Sequence, residues 1–405
     1  MKEPLNRVDK EAKDKAVKHD GDPSWTGQTD GVWGPLSGRS ALLLLIGITW
    51  LPLLIGSLLQ DVLVGDHITI PFAYDLEVHI RFLVALPLLL LASRAAELWL
   101  PALLKQFTAR KLIPDDHCER FDAMLETAYR QRNSVYAIPV ITLLVYVFGV
   151  LLFWRNIFLP EVDTWHSVAR DGETALTPVG YWFALISLPV FQILLLRFYF
   201  HLFLWGRFLW QVSRLDLKLI PSHPDRMGGL GFLSEMTNVL AGFAMVHGAL
   251  LAAWLSTRVV LLGQPLNGFL VEVGAVVLYV LVIVLTPMLA FTLPMRQCRR
   301  KGVREYGELV TSFESQFEER WIGKNTDGEL GGGPTDFRDL ANLGRVYTHV
   351  EAMRGTSITQ RNIVLIAIAT LLPVSPLLLT VLPIEEIVAR VFSIIFGSVS
   401  APSGH

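Results

Sequence analysis

The chain has 405 residues, 52% of them hydrophobic, and a formal net charge of -2 at pH 7. Soluble globular domains rarely exceed about half apolar residues, so the composition argues for a membrane protein. The near-zero net charge is uninformative, and it lacks the strongly basic balance that indicates a nucleic-acid partner.

Residues 1–40 form a polar N-terminal tail, in which basic and acidic residues alternate before a stretch rich in Gly, Ser, Asp and Trp. Such a segment cannot bury enough apolar surface to fold, so we predict a largely disordered tail. No cleavable signal peptide is predicted, because the first apolar run is long enough to remain in the membrane as an anchor.

Seven apolar stretches follow, and each is long enough to cross a bilayer, since about twenty helical residues span its ~30 Å hydrocarbon core. The second stretch ends with Arg94 and Glu97, which lie three residues apart on one helix face and can pair with each other. Prolines inside the stretches are expected to kink them. The predicted spans are 41–60, 82–101, 134–154, 180–204, 239–262, 269–293 and 363–382.

The loops alternate between basic and nearly uncharged, which predicts an orientation. The basic segments carry seven, seven, four and eleven Lys and Arg residues in the N-terminal tail and in the loops at 94–133, 205–238 and 294–362. The opposite loops hold only Arg81, Arg155, Arg170 and Arg258. Because basic loops remain in the cytoplasm, we predict a multi-pass protein of the bacterial inner membrane with a cytoplasmic N-terminus.

The transmembrane domain is predicted to cover 41–383, with helical cytoplasmic inserts at about 105–133 and 303–362. Apolar residues at helical spacing place amphipathic helices at 105–133, 303–322 and 337–354. These helices together are expected to form a small layer on the cytoplasmic side.

The last span carries Pro373 and Pro376 in its middle. It either crosses the membrane fully or turns back as a re-entrant hairpin, and the side of the C-terminus depends on which is correct. Residues 384–405 continue as a predicted amphipathic C-terminal helix and tail, lying in the membrane interface or against a neighbouring subunit.

The most distinctive run is Pro-Ser-His-Pro-Asp-Arg-Met-Gly-Gly-Leu-Gly-Phe-Leu at 221–233. Its Pro, Asp and Gly residues favour a tight turn and positive φ. It is either a rigid elbow before the fifth span or an ion or anion site with Arg226 and backbone N–H groups as donors. No Walker or Rossmann pattern is present. The residues singled out in this signature loop are His223, Asp225, Arg226, Gly228, Gly229 and Gly231.

This run resembles the signature of an uncharacterised family of bacterial integral membrane proteins, written His-Pro-Asp-x-x-Gly-Gly-Leu-Gly-Phe-Leu. The similarity extends to Asp339-Leu340-Ala341, to Met353-Arg354 and to the tail from Pro373, so it covers roughly the C-terminal half of the chain. The resemblance implies the same helical membrane fold. It implies no particular activity.

Four ionisable residues are predicted at membrane depth, where such side chains usually face protein or water. Arg197 and His201 lie one turn apart and either line an anion or proton path or reach toward the interface. His247 is interpreted as a hydrogen-bonded core histidine or a proton relay. Glu272 is expected to pair with Arg258 near the outer rim.

We predict an all-α polytopic membrane protein whose default function is that of an ion channel or small-solute transporter. The alternative is a non-catalytic sensor, scaffold or assembly factor that binds a cytoplasmic protein partner through its helices. An enzyme is less favoured, because no catalytic residues converge by spacing, and no metal or cofactor is predicted. The lipid bilayer and further copies of the chain are the expected partners.

Overall fold

The described part of the chain is mostly helical with one short hairpin, which confirms the predicted all-α class. The computed structural model describes residues 39–65, 68–150, 163–170, 173–321 and 334–378. Most of the predicted N-terminal tail, and the predicted C-terminal helix at 384–405, lie outside the described residues.

Ten longer helices are present in the described ranges, and six of them are long and apolar enough to cross a membrane. The count becomes seven if the bent pair α3 and α4 forms one span, so the chain is a polytopic membrane protein. The helices are α1 (Ser40–Leu59), α2 (Leu76–Ala109), α3 (Cys118–Arg132), α4 (Ala137–Gly149), α5 (Pro178–Val212), α6 (Phe232–Leu261), α7 (Leu266–Leu289), α8 (Thr292–Trp321), α9 (Pro334–Glu351) and α10 (Gln360–Leu377).

Two predicted elements differ from the structure in their bounds. The predicted third span at 134–154 begins as the short helix α4, which meets the amphipathic helix α3 at a bend of 51°. Helix α2 continues through Pro101 to Ala109, beyond its predicted end at 101. The first part of the predicted 105–133 insert therefore belongs to a membrane helix, and α3 supplies the remainder.

The prolines of α2 and α5 are accommodated by wider helical turns. A π-helical turn precedes Pro87 at Ile80–Ala85, and another precedes Pro189 at Phe183–Ser187. Such a turn relieves the clash between the proline ring and the carbonyl four residues earlier. For Pro189 that carbonyl belongs to Leu185, and the Tyr146 hydroxyl of the neighbouring helix α4 donates a hydrogen bond to it at 2.8 Å.

We expect Tyr146→Phe to lower the stability of the protein by about 1 kcal/mol, because the Leu185 carbonyl loses its donor within an apolar environment. Thermal unfolding in detergent at a fixed scan rate measures the change. Tyr136→Phe is the matched control, since it removes a hydroxyl from a residue that is 79% exposed at the start of α4. Equal melting temperatures for the two variants would contradict the role of Tyr146.

Helix α6 is the centre of the bundle, because 67% of its most apolar stretch is buried inside the protein, against 17% of the corresponding stretch of α7. Small residues let the neighbouring helices approach it closely. A Cβ atom at Gly242 would lie 3.0 Å from the Ala92 side chain of α2. At Gly248 a Cβ would overlap the backbone carbonyl of Thr370 in α10. Both helices therefore pack directly on α6.

The connections between spans gather on two opposite faces of the bundle. On the first, which we call the basic face, Lys218 N donates to the Leu112 carbonyl at 2.8 Å and Arg354 N donates to the Arg226 carbonyl at 2.7 Å. Three loops predicted to be cytoplasmic thus meet at one end of the molecule.

The opposite face, which we call the hairpin face, carries strands β1 (Ser167–Arg170) and β2 (Glu173–Leu176), which pair antiparallel. The sequence did not predict this hairpin. The Trp165 indole N–H beside it donates to the Asp75 carboxylate at 2.9 Å, so it is held against the start of α2. Two loops predicted to lie on the outer side therefore share this face.

Helices α8 and α9 extend from the basic face as an antiparallel pair, which agrees with the amphipathic helices predicted at 303–322 and 337–354. Helix α8 is longer than expected because it begins at Thr292, close to the end of α7. The Phe317 and Phe337 rings meet edge to face with centroids 5.0 Å apart.

The last span is helical over its described residues. Helix α10 tightens into a 3-10 turn at Leu372–Val374, around Pro373, and continues at Ser375–Leu378. At its start, the Asn362 amide donates to the Ser234 carbonyl of α6 at 2.9 Å. The rest of the predicted span, 379–382, lies outside the described residues.

Candidate functional site

Arg197 and His201 lie together on the face of α5 that points toward α2. Residues four apart on a helix share a face, so the two side chains are neighbours along the same groove. The facing residues on α2 are Ser93 and Glu97, and two cavities lie beside them.

Glu97 is the centre of a charged cluster between three helices. Its Oε1 atom lies 3.0 Å from Arg132 Nη2 of α3 and 4.0 Å from Arg197 Nη2 of α5. These side chains are largely buried, with exposed fractions of 32% for Glu97, 25% for Arg132 and 20% for Arg197. The sequence suggested Arg94 as a partner of Glu97, and the structure adds Arg132 and Arg197 from two other helices.

The cluster lies near the edge of the hydrocarbon core. At 1.5 Å per residue, Glu97 and Arg197 are both about 30 Å along their helices from the hairpin face, which is about the thickness of that core. Ionisable groups at this depth are costly unless they pair or contact water. The cluster therefore marks the boundary between the apolar bundle and the basic face.

Two cavities meet at this cluster. The larger one, of about 90 Å³, lies among α2, α3, α5 and α6, and Arg132 lines it. The smaller one, of about 40 Å³, lies among α1, α2 and α5, and Arg197 lines it. Glu97 and His201 line both cavities, so they form part of the wall that separates them.

His247 belongs to a different cluster, on the other side of α5. Its Nδ1 lies 2.9 Å from the Phe243 carbonyl, which can only accept, so Nδ1 carries the proton. In the neutral ring Nε2 then accepts from the Tyr199 hydroxyl. The Tyr199 oxygen in turn accepts from the Tyr279 hydroxyl at 2.8 Å. His247 is thus a hydrogen-bonded core residue, as one of the two sequence interpretations holds.

Glu272 lies apart from both clusters, exposed near the start of α7. The predicted ion pair with Arg258 is absent from the salt bridges of the described residues. The Arg258 guanidinium instead lies 3.9 Å from the centre of the Trp254 ring, one helical turn away on α6. The four intramembrane candidates therefore occupy three separate places, and only Arg197 and His201 share a site.

The signature loop is closed around the Asp225 carboxylate. Asp225 Oδ1 accepts the backbone N–H groups of Met227 at 2.7 Å and Gly229 at 3.1 Å, and Oδ2 accepts that of Gly231 at 2.9 Å. His223 Nδ1 lies 2.9 Å from Oδ1 and also accepts the backbone N–H of Asp225 at 3.2 Å, so the imidazole packs against the same carboxylate. Burial alone would raise the pKa of Asp225, but these backbone donors outweigh it and the pKa lies below its ordinary value.

Positive φ angles shape the same loop. Arg226, Gly228 and Gly229 adopt φ values of 56°, 67° and 97°. Arg110 of the preceding basic loop donates to the Gly229 carbonyl at 2.8 Å and lies 3.6 Å from the Asp225 carboxylate. The N–H groups that an anion would need are thus bound to the protein's own carboxylate, which favours the rigid elbow over the anion site.

Within the described residues, no group of three or more His, Cys, Asp or Glu side chains is arranged to hold a metal ion. Sequence reasoning identified Arg197 and His201 but missed Arg132 and the shared role of Glu97. The one available signal was Glu97 itself, a carboxylate inside an apolar stretch. Comparison with known proteins adds no relative: no family model, curated protein or solved structure matches the chain.

Proposed function

We propose that this chain transports small solutes across the membrane, as a channel or a transporter, along a path between α2 and α5. The observation that carries the proposal is the pair of cavities separated by a wall that includes Glu97 and His201. A transport path needs such polar positions at membrane depth, with a barrier that can rearrange.

Glu97 provides a means of rearrangement. Its carboxylate lies 3.0 Å from Arg132, which is hydrogen-bond distance, and 4.0 Å from Arg197. A small shift of Glu97 toward Arg197 would exchange one ion pair for the other, with the Glu97 carboxylate paired in both positions. This exchange would alter the wall between the cavities, which is the property expected of a gate.

We also propose the bacterial inner membrane as the location, with the basic face toward the cytoplasm. The uneven distribution of Lys and Arg supports this orientation. The resemblance of the signature loop to an uncharacterised bacterial membrane family supports the choice of membrane.

The alternative is a sensor, scaffold or assembly factor. The observation that favours it is the projecting pair α8 and α9, on which Leu309 and Phe337 are both 51% exposed. Apolar side chains at such positions suit a protein partner. This function does not require the buried charges, so variants of the cluster separate the two proposals.

Flux through proteoliposomes tests the transport proposal. Purified protein is assayed with K⁺, Na⁺, H⁺ and Cl⁻ gradients and with a panel of small organic solutes. Arg197→Ala is expected to lower flux about tenfold or more, since it removes the second position that the Glu97 carboxylate needs for the exchange. His201→Ala is expected to lower it as well.

Arg207→Ala is the matched control, because it removes the same charge from an exposed position on the same helix. It is expected to retain wild-type flux. Absence of flux for every solute, with protein shown to be folded and inserted, would overturn the transport proposal and favour the scaffold. Equal losses in Arg197→Ala and Arg207→Ala would overturn the assignment of the path.

A further inference from the structure

We propose that the larger cavity binds a small organic monoanion, a carboxylate with a short apolar tail. This proposal rests on the proposed function, because the ligand is offered as the substrate class of the same path between α2 and α5. The binding itself does not require transport, which allows the two to be tested separately.

The walls of the cavity have two chemically distinct regions. One region is charged or polar and holds Glu97, Arg132 and His201. The remainder is mainly apolar, so a ligand that fills it has an ionic head and an apolar body. The principal apolar side chains are Leu100, Leu104, Leu125, Phe208, Met236 and Leu240.

The sign of the head group follows from the charged residues. The larger cavity is lined by one glutamate, Glu97, and one arginine, Arg132, and two further arginines, Arg94 and Arg197, line the adjoining smaller cavity. Arg132 is the arginine of the larger cavity, and a guanidinium matches a carboxylate through two parallel hydrogen bonds. An anion is therefore favoured, and a planar carboxylate fits the arginine better than a spherical ion.

The size of the tail follows from the volume. An apolar cavity of about 150 Å³ holds one benzene ring. A cavity of about 90 Å³ therefore suits a tail of roughly three carbons. Chloride would leave the apolar walls without a partner.

Glu97 competes with such a ligand, because it already contacts Arg132 in the structure. Arg197 offers it a second partner at 4.0 Å. When a carboxylate binds to Arg132, Glu97 can move toward Arg197, so every charge stays paired. Ligand binding is thereby coupled to the same exchange that alters the wall between the cavities.

Because Glu97 and the ligand compete for Arg132, substitutions of the two residues are expected to change ligand affinity in opposite directions. Equilibrium dialysis of labelled butyrate against the purified full chain measures affinity directly. Arg132→Gln is expected to weaken binding about tenfold or more, since it removes a charge-assisted bond. Glu97→Gln is expected to strengthen binding several-fold, because the competing carboxylate is gone. If the pair were only structural, both variants would weaken binding.

Two controls define the site and the charge. Arg130→Gln, an exposed position two residues away on α3, is expected to bind butyrate like the wild type. Butyramide, which has nearly the same shape and no charge, is expected to bind at least tenfold more weakly than butyrate. All variants are checked for a wild-type melting profile, and Arg132→Lys supplies a milder change if Arg132→Gln fails to fold.

The outcomes distinguish the ligand from the function. Butyrate binding with these variant effects, but without any flux, supports the site and overturns transport. Flux of other solutes, with no butyrate binding to the wild type, overturns the ligand class and leaves transport intact. Equal affinity for butyrate and butyramide, or unchanged affinity in folded Arg132→Gln or Arg132→Lys, overturns the assignment of an anion to Arg132.

Discussion

Replacing Asp225 by Asn is expected to destabilise the protein by about 2–4 kcal/mol, because one carboxylate closes the whole signature loop. An Asn Oδ1 can still accept from Met227 and Gly229. The Asn amide nitrogen, however, would face the Gly231 N–H, which now binds Oδ2 at 2.9 Å, and two donors would oppose each other. The attraction to Arg110 is lost as well.

Thermal unfolding in detergent measures this loss, with Asp216→Asn as the matched control. Asp216 is exposed and lies nine residues earlier on the same face, so its replacement is expected to change stability by less than about 0.5 kcal/mol. An Asp225→Asn protein as stable as the control would contradict the closed loop.

The same carboxylate predicts how stability depends on pH. Since the pKa of Asp225 is lower in the folded protein than its ordinary value of 3.8, the ionised group stabilises the fold at neutral pH. This contribution is lost as the pH falls from 3.8 through the folded pKa. Asp225→Asn is therefore expected to show a weaker decline in stability over that acid range than the wild type does.

The membrane spans were predictable because each apolar stretch carries its own signal. A run of about twenty apolar residues specifies a spanning helix regardless of its neighbours. Helix α1 begins and ends within one residue of its predicted span, and α6 ends within one residue of the predicted C-terminal end of its span. The boundary between α3 and α4 was predicted near 134, because the composition changes there from charged to apolar, but the 51° bend was not, since composition carries no information on direction.

The candidate site was only partly predictable, because its pairs join distant parts of the chain. Glu97 and Arg132 are separated by 35 positions, and Tyr199 and His247 by 48. No local spacing reports which helices become neighbours, so Arg132 could not be identified as a partner of Glu97 from the sequence. The rigid elbow at 221–233 was anticipated more closely, since an Asp side chain binds backbone N–H groups only a few residues away and Gly residues allow the turn.

Replacing Gly248 by Ala is expected to destabilise the bundle by about 1–3 kcal/mol or more. The added methyl group would overlap the Thr370 carbonyl and lie 3.0 Å from the Pro373 ring. Neither group can rotate away, because both belong to the backbone or ring of α10. The two helices must then separate, and the contact that seats the last span on α6 is lost.

Gly274→Ala on α7 tests whether this effect comes from packing. No atom lies within 4 Å of a Cβ at Gly274, so the same substitution is expected to leave stability unchanged or raise it by up to about 1 kcal/mol through helix propensity. Apparent melting temperatures at one scan rate compare the two. A Gly248→Ala protein as stable as Gly274→Ala would contradict the close approach of α10 to α6. Asn362 holds the start of α10 against α6. In the Gly248→Ala protein the end of α10 beyond Thr370 is therefore expected to loosen first. Its backbone amides should exchange with solvent faster than those near Asn362.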